Sequence, residues 1–229
     1  MGEPEKGVDL SGVRRLFDDR TSNLMSAGVV AVFLLFLTVN TLDIVANNTY
    51  VRGIVDGDTT WDVSFEEEVL SYNEVVIVGD GDNVVVEFDV LPTALQDGYR
   101  VGGVIVTVSY GETSQVPGDP ADSVAASLVQ NSYPAEWSDE NNTLSGASND
   151  ASDIVLDLRT YPDYDGNTRN ATGYNALQVL EPWVMDGHGL GLLEVNIEVD
   201  TASLPLTNDG NEEVTVTLDV ISFRAVAVQ

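Results

Sequence analysis

The chain has 229 residues, with 38 Asp plus Glu against nine Lys plus Arg, a formal charge of −29 and a pI near 4.1. Lys6 is its only lysine; with no basic patch to neutralise phosphate, nucleic acid is not expected as a partner. The absence of cysteine removes disulfides, thiolate nucleophiles and sulfur-ligated metals together. Even so, 43% of the residues are hydrophobic, enough for an acidic chain to bury a core and escape disorder.

Residues 1–23 place Leu10, Val13, Leu16 and Phe17 at helical spacing, with Arg14, Arg15, Asp18 and Asp19 on the other side. This predicts an internal tail. It forms either an amphipathic helix on the inner leaflet or on an internal partner, or a solvated extension of the helix that follows. Residues 24–45, LMSAGVVAVFLLFLTVNTLDIV, hold no charge before Asp43. As a helix they span about 33 Å, enough for a lipid bilayer. Arg14, Arg15 and Arg20 precede the span and the next basic residue is Arg52, so a single-pass protein is expected, with the N-terminus inside and residues 46–229 outside.

Beyond Val51 the apolar period changes from helical to two. Trp61, Val63 and Phe65 alternate with polar residues and predict a half-buried strand. Val75–Val78 and Val84–Val90 flank Gly79-Asp80-Gly81-Asp82-Asn83, which reads as a hairpin. Val101–Tyr110 predicts another strand, and Val124–Val129 a short strand or helix. Two long loops are expected at 130–152 and 160–173, separated by a strand at Ile154–Leu158. Leu193–Val199 and Val214–Val220 alternate as half-buried antiparallel strands, and the parity slip at Val220-Ile221 predicts a β-bulge. Eight to ten strands at this spacing, with no fixed repeat, predict a mainly β protein. The expected fold is an antiparallel β-sandwich or jelly roll behind a transmembrane helix.

Little in the sequence carries catalytic chemistry. His188 is the only histidine, it lies in a Gly-rich turn, and no G-x-S-x-G elbow accompanies it, so no catalytic residue, cofactor or enzymatic activity is expected. Asp163, Asp165 and Asn167 place oxygen ligands at alternate positions around Gly166 and are a candidate calcium site, although Tyr174 stands where an EF-hand needs glutamate. Asn47, Asn141 and Asn170 begin N-x-T sequons on the expected outer side and are candidate glycosylation sites. Of the three tryptophans, Trp61 and Trp183 sit in strand-like contexts, whereas Trp137 is the candidate for an exposed contact.

A short inner tail, one span and an outer β domain, together with the lysine-poor, valine-rich composition, resemble virion membrane proteins and single-jelly-roll coat proteins of halophilic icosahedral viruses with an internal membrane. The layout also resembles archaellum stator-type proteins, whose β domains are smaller. Archaeal pilins and archaellins differ, because Arg20 is followed here by Thr21-Ser22-Asn23-Leu24 rather than by a processing site. The resemblance implies a non-enzymatic structural membrane protein, forming homo-oligomers or joining other structural proteins in a virion or cell-surface complex. An anchored module binding glycan or calcium is the alternative from another class.

Overall fold

The computed structural model describes residues 20–47, 59–111, 122–201 and 210–229, with side chains at 22 and 43–47 excepted. The expected inner tail before Arg20, the linker 48–58, and the expected turns around residues 116–121 and 208–209 lie outside these residues. The chain divides into two compact units, Met1–Thr59 and Thr60–Gln229.

In the first unit, helix α1 runs from Arg20 to Asn47 and contains a stretch, Asn23–Leu42, long and apolar enough to cross a membrane. Toward the C-terminal end of that stretch two polar side chains bond back to their own helix, Thr38 Oγ1 to Leu34 O and Asn40 Nδ2 to Phe36 O, both at 2.8 Å. That leaves neither polar group without a partner.

The second unit packs two antiparallel sheets face to face. Its nine described strands are β1 (Thr59–Gly79), β2 (Asn83–Val90), β3 (Arg100–Tyr110), β4 (Ser123–Leu128), β5 (Ser145–Ser148), β6 (Ile154–Arg159), β7 (Arg169–Gly173), β8 (Gly191–Asp200) and β9 (Asn211–Val228). One sheet has the order β6-β3-β9-β1-β7 and the other β2-β8-β4-β5. With β7 set aside, the orders 6-3-9-1 and 2-8-4-5 are those of two interlocked Greek keys, the jelly roll. Alternate residues point inward: Val104, Val106 and Val108 of β3 meet Leu193, Val195 and Ile197 of β8 in one mostly aliphatic core, every one of them fully buried.

Four expectations are corrected. Val75–Val78 and Val84–Val90 do not form a hairpin, because β1 pairs with β9 and β2 with β8. The turn between them crosses from sheet to sheet, its donors taken up by Asp80 N–Gly210 O and Gly81 N–Val199 O bonds of 3.0 Å. The two strands expected at 61–65 and 75–78 are parts of one, β1, which pairs with β9 without interruption from Asp62↔Val228 to Gly79↔Asn211. The bulge lies not in β9 but in β3, between Val101 and Gly103. The parity slip has another cause: below Val220 both faces of β9 are covered, so Phe223 is buried on the side opposite Leu218. Finally, the stretches expected as loops include β5 and β7, short strands with little apolar alternation to announce them.

Candidate functional sites: an aromatic annex, its crevice and the acidic loops

Where β1 and β9 run on past the main sandwich, their odd-numbered side chains meet a second core. Val63 and Phe65 of β1 and Phe223 of β9 pack with Tyr161, Tyr164 and Trp183, which arrive on the segment between β6 and β8. That segment carries β7, the helix α2 (Ala176–Leu180) and a 3-10 turn at Glu181–Trp183. Asn175 caps α2, its side-chain oxygen accepting from the Gln178 N–H at 3.0 Å. Tyr164 stacks on Phe223 with centroids 4.2 Å apart, and Phe65 meets Trp183 edge-on at 4.8 Å; both are favoured arrangements of ring quadrupoles. The Tyr164 hydroxyl donates to Glu67 Oε1 at 2.5 Å. Burial, reinforced by that carboxylate, pushes its pKa far above the ordinary tyrosine value. The Trp61 indole donates to Gly173 O at 2.9 Å, tying β7 to the start of β1. Gly102 makes this packing possible, because a Cβ there would lie 2.2 Å from Tyr164 Cε1.

Beside the annex lies a crevice of about 360 Å³ between the 92–100 and 186–190 segments. Arg100 donates to Tyr99 O at 2.9 Å and to Val184 O at 3.3 Å, and pairs with Asp186 at 3.0 Å. Half-buried His188, 5.0 Å from the Tyr161 ring, forms part of the same wall. At Gly189 φ is +66°, and a Cβ would meet Val101 at 2.5 Å, so only glycine closes this turn. Within the described part of the β unit, Arg100, Arg159, Arg169 and Arg224 each pair with a carboxylate: Asp186, Asp139, Asp165 and Glu66. The few cations of this acidic chain thus tie segments together.

Of the sequence-predicted sites, the calcium candidate and Asn170 share one segment, whereas Asn141 lies on a different turn. Asp163 and Asp165 lie in the turn before β7, where Asp165 Oδ1 accepts the Asn167 N–H at 3.0 Å and pairs with Arg169 at 3.1 Å. Partial burial raises the Asp165 pKa, but the bonds from Asn167 and Arg169 outweigh it and hold the carboxyl below its ordinary range. Arg169 also donates to Asp163 O and lies over the Trp183 ring at 5.4 Å, so this acidic loop is joined to the annex. Among the described residues no three His, Asp or Glu side chains converge at metal-binding separations. Asn141 and Asn170 are exposed, on the Glu136–Thr143 turn and on β7; Asn47 ends α1 and its side chain is not described. Trp137 is not the exposed contact expected, since it packs against the main core and donates to Tyr133 O at 3.0 Å. Trp183 lies in a 3-10 turn rather than a strand, and is buried.

Sequence reasoning missed the annex. Two signals pointed to it: the adjacent Gly102-Gly103 inside a strand pattern, a sign of close approach, and the aromatic density of 161–183.

No protein-family model and no curated protein matches the sequence. Among solved structures the chain is similar to a decameric BFDV capsid protein (10% identity, TM-score 0.37, covering 70% of this chain and 99% of that one). It is also similar to a nora virus chain (12%, 0.32, 69% and 60%) and to the acid-stable capsid of Helicobacter pylori bacteriophage KHP30 (13%, 0.22, 72% and 99%). At these scores the likenesses add nothing to what the strand order already says of the fold.

Proposed function

We propose that this chain is a membrane-anchored structural subunit, with α1 crossing a bilayer and the jelly roll making lateral contacts in a larger assembly outside it. The observation that carries the reading is the surface of α1. From Leu24 to Leu42 every residue is exposed, including Phe33, Leu35 and Phe36 at 60%, 67% and 63%, and a helix apolar on all sides needs an apolar surrounding. With the acid-rich composition, this favours a virion shell or cell-surface complex working in concentrated salt, where a Debye length of about 3 Å at 1 M screens the self-repulsion. Because the chain has no cysteine, single-cysteine variants test the topology. In sealed vesicles, Ala147→Cys should react with an impermeant maleimide, and Ser11→Cys only after detergent. Release of the protein by alkaline washing, or equal labelling of both positions, would refute the anchored reading.

The crevice at Arg100 and His188 favours the alternative of an anchored ligand-binding module. Saturable binding of a carboxylate-bearing sugar, lost in Arg100→Ala, would move the conclusion there.

A further inference from the structure

The upper part of β1 has an open edge. β7 is the other neighbour of β1 in its sheet but has five residues against 21. The Trp61–Gly173 and Tyr164–Glu67 bonds place β7 and the turn before it beside residues 61–67. From Glu68 to Val78 no strand among the described residues pairs with the side of β1 that faces away from β9. Such an edge offers its backbone donors and acceptors to another chain.

Charge guards this edge on its inner face alone, where Glu68 and Glu74 stand. Along its outer face the side chains are Val69, Ser71, Asn73, Val75 and Ile77, none charged in a chain of net charge −29. Val69, Val75 and Ile77 are 59%, 53% and 65% exposed. On the inner face Leu70, Tyr72 and Val76 are only partly covered where they meet the main core. The free side of β2 in the other sheet differs, because its outward positions include Glu87 and Asp89, charges that discourage pairing between copies.

We infer that β1 from Glu68 to Val78 is a two-fold interface between copies of this chain, with Asn73 on the axis. The occupant and the register follow from parity and charge. Antiparallel pairing that continues both faces of the sheet opposes residues of like parity, so a two-fold must centre on a residue. Centring on Ser71 puts Glu68 against Glu74 of the second copy, and centring on Glu74 puts the two Glu74 carboxylates together; like charges directly opposite are destabilising. Centring on Tyr72 leaves Ile77 facing Glu67, which the annex has already engaged, and centring on Val75 leaves Val69 outside the pairing. With Asn73 at the centre, Val69 faces Ile77, Leu70 faces Val76 and Ser71 faces Val75 of the second copy, and the whole free edge is used. An isologous contact of this kind is self-complementary and closed.

The inference deepens the assembly reading by naming the partner and the surface, and rests on it. Its test uses the full chain in detergent at about 3 M salt, where repulsion is screened. The expected mass is twice 24.6 kDa after subtraction of detergent. Mild oxidation should convert Asn73→Cys to a covalent dimer, since directly opposed residues lie within disulfide reach. Val75→Cys, about four residues from its symmetry mate, should stay reduced. The double variant Val75→Lys with Ile77→Lys should lose the dimer while keeping its strand circular dichroism. Cross-linking of Val75→Cys instead of Asn73→Cys would overturn the register and with it the inference. An oligomer indifferent to the two lysines would overturn the edge interface and leave the assembly reading standing. A monomer under all conditions, vesicles included, would overturn both.

Discussion

The β unit has two cores built in different ways, and their contrast explains much of the molecule. The sandwich core is mostly aliphatic, and regular. Val104, Val106, Leu156, Leu193, Ile197 and Leu218 are all 0% exposed and stand on strands whose neighbours are fixed by continuous pairing. The annex is aromatic and irregular, assembled from residues near 61–65, 161–164, 179–183 and 221–227. Its rings lie at centroid separations of 4.2 to 6.3 Å. A period-two strand finds its core face by alternation alone, whereas the annex depends on loops being led across the extended β1–β9 ribbon by specific bonds such as Trp61 to Gly173.

The strongest way to break the contrast is at Phe223, which touches Phe65, Tyr161, Tyr164 and Trp183 together. Phe223→Ala is expected to lower the unfolding free energy by about 3–5 kcal/mol, read from denaturant titration in high salt. In a Trp137→Phe background, Trp61 and Trp183 report the annex alone. Their emission is expected to change ahead of the strand circular dichroism in the Phe223 variant, whereas the main-core change Leu218→Ala moves both signals together. Coincident transitions in both variants would mean that the annex is no separate unit of stability. A smaller effect is expected at Gly102, where an added methyl must displace Tyr164; Gly102→Ala should cost about 1–3 kcal/mol. Gly103→Ala, whose Cβ would stand 3.4 Å from Leu158 O, should cost less. Equal losses at the two glycines would remove the special role given to Tyr164.

The two cores also differ in how far they could be read in advance. The sandwich was legible because Val, Leu and Ile alternate through Val101–Tyr110, Leu193–Val199 and Val214–Val220, and with them the mainly β class and its jelly-roll form. What failed was pairing. The Gly79–Asn83 turn has hairpin chemistry, yet sheet membership is decided by which long strands find each other, and β1 pairs with β9 from Asp62 to Gly79. Trp137 looked exposed because its neighbours are polar, but its indole finds the Tyr133 carbonyl through a local turn. The parity change at Val220–Phe223 was visible and its location meaningful. Its cause, a second layer on the opposite face, depends on residues some sixty positions away and leaves no local trace.

The smallest expected effect separates local bonds from the overall charge. Asp139 and Asp150 lie on exposed turns beside the sandwich, and both carboxyls are held below their ordinary range. For Asp139 the cause is first the Asn141 N–H and then its side-chain amide; for Asp150 it is first the Ser152 hydroxyl and N–H and then the Ser148 hydroxyl. In the unfolded chain such groups titrate near pH 4, so on acidification the unfolded state takes up their protons first. Their contribution is therefore complete above about pH 4 and is lost as pH falls through the folded values. In dilute buffer this loss is opposed, because protonating a chain of charge −29 relieves its self-repulsion. At about 3 M salt that relief is screened away while short hydrogen bonds persist. The thermal midpoint should then fall between pH 5 and pH 3 in high salt and change less, or rise, in dilute buffer, with Asp150→Asn flattening the high-salt slope. An identical pH profile at both salt concentrations would mean that neither the local bonds nor the net charge governs acid stability as argued.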